Sequence, residues 1–290
     1  MLYRTLGDRI AVSAVGLGAM PLSIEGHPDE ARALATVHAA LDAGVTLLDT
    51  ADSYHPPGGE PGENERLVAR ALAGRDDVLV ATKGGRGRSA DGGWTVDGRP
   101  EHLRRAAEDS ALRLGGGAIG LYQLHKPDPA VPYAESLGAI RELVDAGTVR
   151  LAGISNVDRE QILLAREILG DALVCVQNRY SPAVRDSEPE LRLCAGLGLA
   201  FLPWSPLGGI SRSSLDGPSG RQADPRFAAF HRVAAARGVS PQRVALAWLL
   251  ARPGGHVLPI PGASRPETAR DSALAVELTL SEEELAELGD

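Results

Sequence analysis

Seven times along this chain a short apolar run ends in polar or small residues, and segments with helical spacing separate the runs. Val45-Thr46-Leu47-Leu48 leads into Asp49, with Tyr54 five residues beyond it. Val78-Leu79-Val80-Ala81-Thr82 leads into Lys83, and residues 119–124 lead into His125. Residues 149–154 end at Ser155-Asn156, and residues 172–176 at Gln177-Asn178. Residues 199–202 are followed by Trp204-Ser205, and residues 256–260 by Pro261-Gly262. Val15-Gly16-Leu17-Gly18 supplies one more extended segment, whose glycines could mark a turn or a close approach to a ligand. Between these runs, helices are predicted at 29–43, 64–73, 100–114, 132–146, 158–169, 187–196, 225–237 and 241–251. Gly44, Gly147 and Gly170 stop three of them.

About eight strands alternating with about eight helices argue for a parallel sheet. An α/β fold with a closed (β/α)8 TIM barrel is the expected arrangement. An open doubly wound sheet would more usually carry a G-x-G-x-x-G turn after its first strand, and none is present. Residues 2–17 alternate loosely around Gly7-Asp8 and predict an N-terminal β-hairpin. A short helix begins at Pro266, and Ser281 with Glu284 forms a capping box for a C-terminal helix. The Gly/Arg/Ser/Asp-rich stretch 84–99 reads as a long polar loop in which Trp94 either covers a pocket or anchors on the barrel. No break in composition divides the chain, so residues 1–290 are expected to form one domain.

Charge and composition exclude several functions. The net charge of −8 gives no electrostatic footprint for nucleic acid or an anionic membrane. No apolar run approaches the ~20 residues that span a bilayer. The N-terminal residues lack the apolar core of a signal peptide, so the cytoplasm is the expected compartment. Cys175 and Cys194 read as buried free thiols, and neither has the spacing of a metal ligand, so no metal is expected. A monomer or weak oligomer is expected.

In a barrel the C-terminal strand ends ring one mouth. That mouth would gather Asp49 with Tyr54, Lys83, His125, Ser155, Asn156, Gln177 and Trp204-Ser205. Singly, a histidine there is more often structural and a lysine more often solvated; four titratable groups at three successive strand ends argue for a site. A phenol titrates near ~10, too high for efficient proton donation near neutrality. An adjacent ammonium would lower that value, and a paired carboxylate would keep the ammonium charged. His125 could hydrogen-bond a substrate carbonyl. A carbonyl that receives a proton also needs a hydride, which implies a nicotinamide cofactor.

Taken in order, Asp49-Thr50-Ala51…Tyr54, Gly62-Glu63-Asn64-Glu65, Ala81-Thr82-Lys83, Leu124-His125, Gly153-Ile154-Ser155-Asn156, Val176-Gln177-Asn178-Arg179-Tyr180, Trp204-Ser205-Pro206-Leu207-Gly208-Gly209 and Ile260-Pro261-Gly262 resemble the aldo-keto reductase family over essentially the whole chain. The resemblance implies a catalytic tetrad of Asp49, Tyr54, Lys83 and His125, with Tyr54 the general acid reducing an aldehyde or ketone. It implies that Ser155, Asn156 and Gln177 bind the nicotinamide carboxamide and that Trp204 stacks on the ring. Ser205, Pro206, Leu207 and Gly209 would lie along the pyrophosphate, and Gly18 and Met20 beside the cofactor. NADPH is implied ahead of NADH, with Ser264, Arg265 and Arg270 meeting the 2′-phosphate and Asp271 the adenine edge. Gly262 and Ser272 stand where many relatives carry Lys and Asn. Three alternatives stay open: a nucleotide-binding regulatory subunit with little turnover, a pyridoxal-type reductase or alcohol dehydrogenase running in either direction, and an aldolase using Lys83 as a Schiff base.

Overall fold

The computed structural model describes residues 1–208 and 225–289. Its strands are β1 (Tyr3–Leu6), β2 (Ile10–Ser13), β3 (Leu17–Gly18), β4 (Leu47–Asp49), β5 (Leu79–Gly84), β6 (Arg86–Arg88), β7 (Trp94–Val96), β8 (Ile119–Leu124), β9 (Val149–Ser155), β10 (Leu173–Gln177) and β11 (Ala200–Phe201). Its α-helices are α1 (Glu30–Asp42), α2 (Glu63–Leu72), α3 (Pro100–Arg113), α4 (Tyr133–Asp145), α5 (Arg159–Leu169), α6 (Glu188–Leu197), α7 (Ala228–Arg237), α8 (Pro241–Leu250), α9 (Pro266–Ala273) and α10 (Glu282–Leu288). None of the described helices is long and apolar enough to cross a membrane.

Seven parallel strands form a curved sheet in the order β3-β4-β5-β8-β9-β10-β11. The extended segment 256–262 closes it. Phe201 N–H donates to the His256 carbonyl at 2.9 Å, and Leu258 N–H to the Phe201 carbonyl at 2.8 Å. On the other side Gly16 and Gly18 N–H groups donate to the carbonyls of Pro259 and Pro261, both at 3.0 Å. The predicted strand at 256–260 is thus present only as single bridges, Phe201 to Val257 and Gly18 to Gly262. The reason is chemical: Pro259 and Pro261 have no N–H to continue a ladder. The seam is also tight, since a Cβ on Gly18 would lie 2.8 Å from the Ile260 carbonyl oxygen.

A two-residue period sorts the barrel interior by height, because alternate side chains share a face. The lower inward positions are apolar: Leu47, Leu79, Ala81, Leu121, Leu151, Cys175, Ala200, Leu202 and Leu258 pack as one cluster. Leu6 and Val12 of the β1–β2 hairpin belong to that cluster and plug the floor. One step of two towards the strand ends, the inward positions turn polar: Asp49, Lys83, Gln123, Ser155 and Gln177, all buried. Gly153 is the exception, and a Cβ there would sit 2.8 Å from the Gln123 side chain. Two further apolar clusters fill the space between barrel and helices.

The predicted helices are present with ends shifted by a residue or two, and a 3-10 turn, Pro225–Phe227, leads into α7. The capping box at Ser281 forms as expected. Both cysteines are free and buried. The stretch 84–99 differs from expectation. It holds an antiparallel hairpin in which Arg86 pairs with Val96 and Arg88 with Trp94. The face of this ribbon is a cation–aromatic stack, with the Arg86 and Arg88 guanidiniums 4.3 and 4.4 Å from the Trp94 ring centroid. Such a strand pair has no apolar alternation to betray it.

Candidate active site

The polar layer is built by elements that lock the loop after β4 against β5. Thr50 N–H donates to the Ala81 carbonyl at 2.8 Å, and Gly62 N–H to the Asp52 carbonyl at 2.6 Å. The N-terminus of α2 supplies a buttress. Asn64, fully buried, accepts from Thr50 Oγ1 at 2.6 Å and donates to the Ala19 carbonyl at 2.8 Å and to Ser23 Oγ at 2.6 Å. Ser23 Oγ in turn donates to the Tyr54 carbonyl at 2.7 Å. Glu65 accepts from Thr82 Oγ1 and from Arg113 Nε, each at 2.5 Å. The Gly62-Glu63-Asn64-Glu65 stretch therefore fixes where Tyr54 stands relative to Lys83.

Lys83 is the hub. Its Nζ donates to Asp49 Oδ1 at 2.5 Å, to the Thr50 carbonyl at 2.8 Å and to Tyr54 Oη at 3.1 Å. All three ammonium protons are thus used. The other carboxylate oxygen of Asp49 accepts from Gln177 Nε2 at 2.8 Å and Gln123 Nε2 at 3.2 Å. The His125 ring meets the Tyr54 ring edge to face at 5.7 Å. Asn156 adopts φ of 59°, a left-handed conformation that asparagine tolerates. From there its Nδ2 reaches the His125 carbonyl at 2.9 Å and Ser155 Oγ at 3.0 Å, while its Oδ1 accepts from Trp204 Nε1 at 3.2 Å.

Burial sets the charges. Desolvation is the largest influence on Lys83 and disfavours its charge, but Asp49 and Tyr54 together outweigh it, and its pKa stands above the ordinary value. His125 falls well below the usual imidazole range, through desolvation first and the charges of Lys83 and Arg86 second, so it is neutral at pH 7. Tyr54 corrects the sequence-based expectation. Lys83 does pull the phenol down, but burial pushes it up more strongly and Asp49 adds to the rise, so the net shift is upward. The phenol is fully protonated near neutrality. Its oxygen accepts from Lys83, and no described group takes its proton.

Gly18, Met20, Asp49, Tyr54, His125, Ser155, Asn156, Gln177, Trp204 and Ser205 line one pocket of about 150 Å³. Trp204, half-buried, forms its aromatic wall beside the hydroxyl of Ser155 and the amides of Asn156 and Gln177. This donor and acceptor set fits a flat ring carrying a carboxamide. Pro206 is buried, and Leu207 packs against the larger cluster. Gly209 lies outside the described residues. Ser264 and Arg265 lead into α9, Arg270 and Asp271 lie within it, and none of the four lines the pocket. Arg265 and Arg270 are exposed. Asp271 is held by Ser240 Oγ and by Arg243, whose Nη2 lies 2.5 Å from Oδ1. Among the described residues no cluster of three or more His, Cys, Asp or Glu could hold a metal.

Sequence reasoning missed Gln123, Arg86 and Asp52. Gln123 is a buried amide in an otherwise apolar inward column, which is the signal that could have found it. Arg86 follows Lys83 by three residues and also lines the pocket. Asp52 is buried with Oδ1 unpaired. Desolvation and then the nearby Glu65 push its carboxyl up to about 8. Because the folded value lies above the unfolded value of about 3.9, the protonated group stabilises the fold fully below pH ~4. That contribution is lost as pH rises towards 8. Asp52→Asn is therefore expected to denature at a higher temperature than wild type at pH 8, by an amount worth a few kcal/mol, and the gap should close towards pH 4. Parallel melting curves across that range check it.

Comparisons with known proteins agree with this geometry. The model of the aldo/keto reductase family matches residues 14–290. A curated relative named 6-dehydroglucose reductase, from Novosphingobium aromaticivorans, is 36% identical over 95% of this chain and 90% of its own length. A solved aldo-keto reductase from Klebsiella pneumoniae, in complex with NADPH, superimposes with a TM-score of 0.78 at 30% identity, covering 99% of this chain and 94% of that one. The glycerol dehydrogenase of Gluconobacter oxydans superimposes with a TM-score of 0.81 at 28% identity, covering 99% and 93%. The chain thus belongs to the aldo/keto reductase family, as a nicotinamide-dependent oxidoreductase acting on the carbonyl/CH–OH pair.

Proposed function

We propose that the chain reduces an aldehyde or ketone to the alcohol with NADPH, and that Tyr54 is the general acid. The observation that carries this reading is the contact of Lys83 with both Asp49 and the Tyr54 phenol, beside a neutral His125 at the pocket wall. When bound, a reduced nicotinamide supplies a hydride to the carbonyl carbon. The chain's own residues handle the oxygen. A neutral imidazole at 125 can donate one hydrogen bond to the carbonyl and hold it near the phenol. As negative charge develops on that oxygen, the Tyr54 proton moves to it. Lys83 then stabilises the phenolate left behind, which is where its fixed charge counts most. Asp49 and the two glutamines keep the ammonium in place.

A nicotinamide nucleotide is supported by the half-buried Trp204 next to Asn156, Gln177 and Ser155, and NADPH by the Klebsiella relative crystallised with it. Arg265 and Arg270 are the proposed partners of its 2′-phosphate, reached along α9. Asp271, proposed at the adenine edge, is held by Arg243. The relative named for 6-dehydroglucose reduction supports an aldehyde as substrate. A Schiff-base role for Lys83 is not favoured, since all three of its protons are held and its pKa is raised, which suppresses the free amine. The purified chain is expected to consume NADPH absorbance with small aldehydes. Absence of consumption across a panel that includes pyridoxal, with NADPH still bound, would refute the reading and favour a regulatory nucleotide-binding role.

A further inference from the structure

Arg86 stands in the pocket with Tyr54 and His125, and nothing described balances its charge. It opens β6 directly after the strand that carries Lys83. Its guanidinium and that of Arg88 both lie over the Trp94 ring, their central carbons 4.3 and 4.4 Å from its centroid. The two arginines differ in their partners. Arg88 is bound by Glu25, its Nη1 lying 3.3 Å from Oε2. Arg86 makes no ion pair among the described residues; the Nε atoms of both arginines are shielded from solvent without an acceptor. Lys83, behind the pocket wall, is neutralised by Asp49. One unbalanced positive charge therefore faces the space beside the phenol. Arg86 is near enough to bear electrostatically on both Tyr54 and His125.

A guanidinium stacked on an indole has its plane fixed and is weakly hydrated, so binding an anion costs it little rotamer freedom or water. Its planar fork matches a carboxylate through two parallel N–H···O bonds. A single net charge balances a monoanion and would leave a phosphate dianion undercompensated. Resting on the carbonyl-reductase reading of the same site, we propose that Arg86, held by Trp94, binds a carboxylate on the substrate, so that the preferred substrates are aldehydes or ketones bearing a carboxylate group.

The test uses the NADPH-loaded enzyme and three matched aldehydes: 4-carboxybenzaldehyde, its methyl ester, and 4-formylphenyl phosphate. Wild type is expected to favour the acid over the ester by about tenfold or more in kcat/KM, chiefly through KM, as loss of a charge-assisted hydrogen-bonded pair would dictate. Arg86→Met keeps an apolar stem on Trp94 and should bring the acid-to-ester ratio close to one. Arg86→Lys should recover part of it. If Arg86→Met does not fold, the wild-type ratio decides, and it should fall as salt is added. An ester reduced as well as the acid, a ratio unchanged in Arg86→Met, or a preference for the phosphate would each overturn this proposal alone. Failure to reduce any of the three would sink the reductase reading, and this proposal with it.

Discussion

Tyr54→Phe is expected to cut turnover by about 100- to 10,000-fold while leaving NADPH affinity within a few-fold, as removal of a general acid does. The substitution deletes only the phenolic oxygen. That oxygen accepts from Lys83 at 3.1 Å, and its proton has no described acceptor, so the proton is available to a ligand. The pocket wall at Trp204, Asn156 and Gln177, the proposed nicotinamide site, is untouched. The aromatic ring stays edge-on to His125, so packing is conserved. Because burial keeps the phenol above its ordinary pKa, Tyr54 holds its proton at neutral pH. On the proposed mechanism that proton moves as negative charge develops on the carbonyl oxygen. Steady-state kinetics and nucleotide titration by fluorescence check both halves. Turnover equal to wild type would remove Tyr54 from its role.

Lys83→Met should be damaging in two ways. It leaves Asp49 as a buried carboxylate with only the amides of Gln177 and Gln123, and breaking such a pair by removing one partner costs about 3–5 kcal/mol. It also removes the positive charge that stabilises a phenolate at Tyr54, so turnover should fall at least as far as in Tyr54→Phe. Stability and catalysis can be separated with a second substitution. Asp49→Asn combined with Lys83→Met removes both charges, and the double variant should be more stable than Lys83→Met alone. It should stay inactive. Chemical denaturation and the aldehyde assay measure the two effects. A Lys83→Met variant as stable as wild type would contradict the pairing.

The barrel was legible because periodicity carries it: apolar runs of strand length alternate with segments of helical spacing, most of them with one apolar face. Asp49, Tyr54, Lys83 and His125 were expected at one mouth because strand ends converge there, and the structure brings their side chains together. What was not legible depends on contacts distant in sequence. Asn64 secures the Tyr54 loop through Ala19 and Ser23, more than forty residues away. The β6–β7 hairpin is held by arginines stacked on Trp94, so its sequence looks like a loop. The last stave of the barrel was over-read as a strand, since Pro259 and Pro261 limit it to single bridges. The phenol's pKa was read with the wrong sign because a neighbouring charge can be inferred from sequence, whereas the depth of burial that opposes it cannot.

Hydride delivery to a carbonyl in this pocket is tested most directly with NADPH carrying two deuterium atoms at its hydride-donating carbon, incubated with the enzyme and a simple aldehyde, the product being analysed by mass spectrometry. One deuterium on the carbinol carbon of the alcohol is the expected result. An alcohol formed without deuterium, or no alcohol from an enzyme that binds the nucleotide, would contradict it.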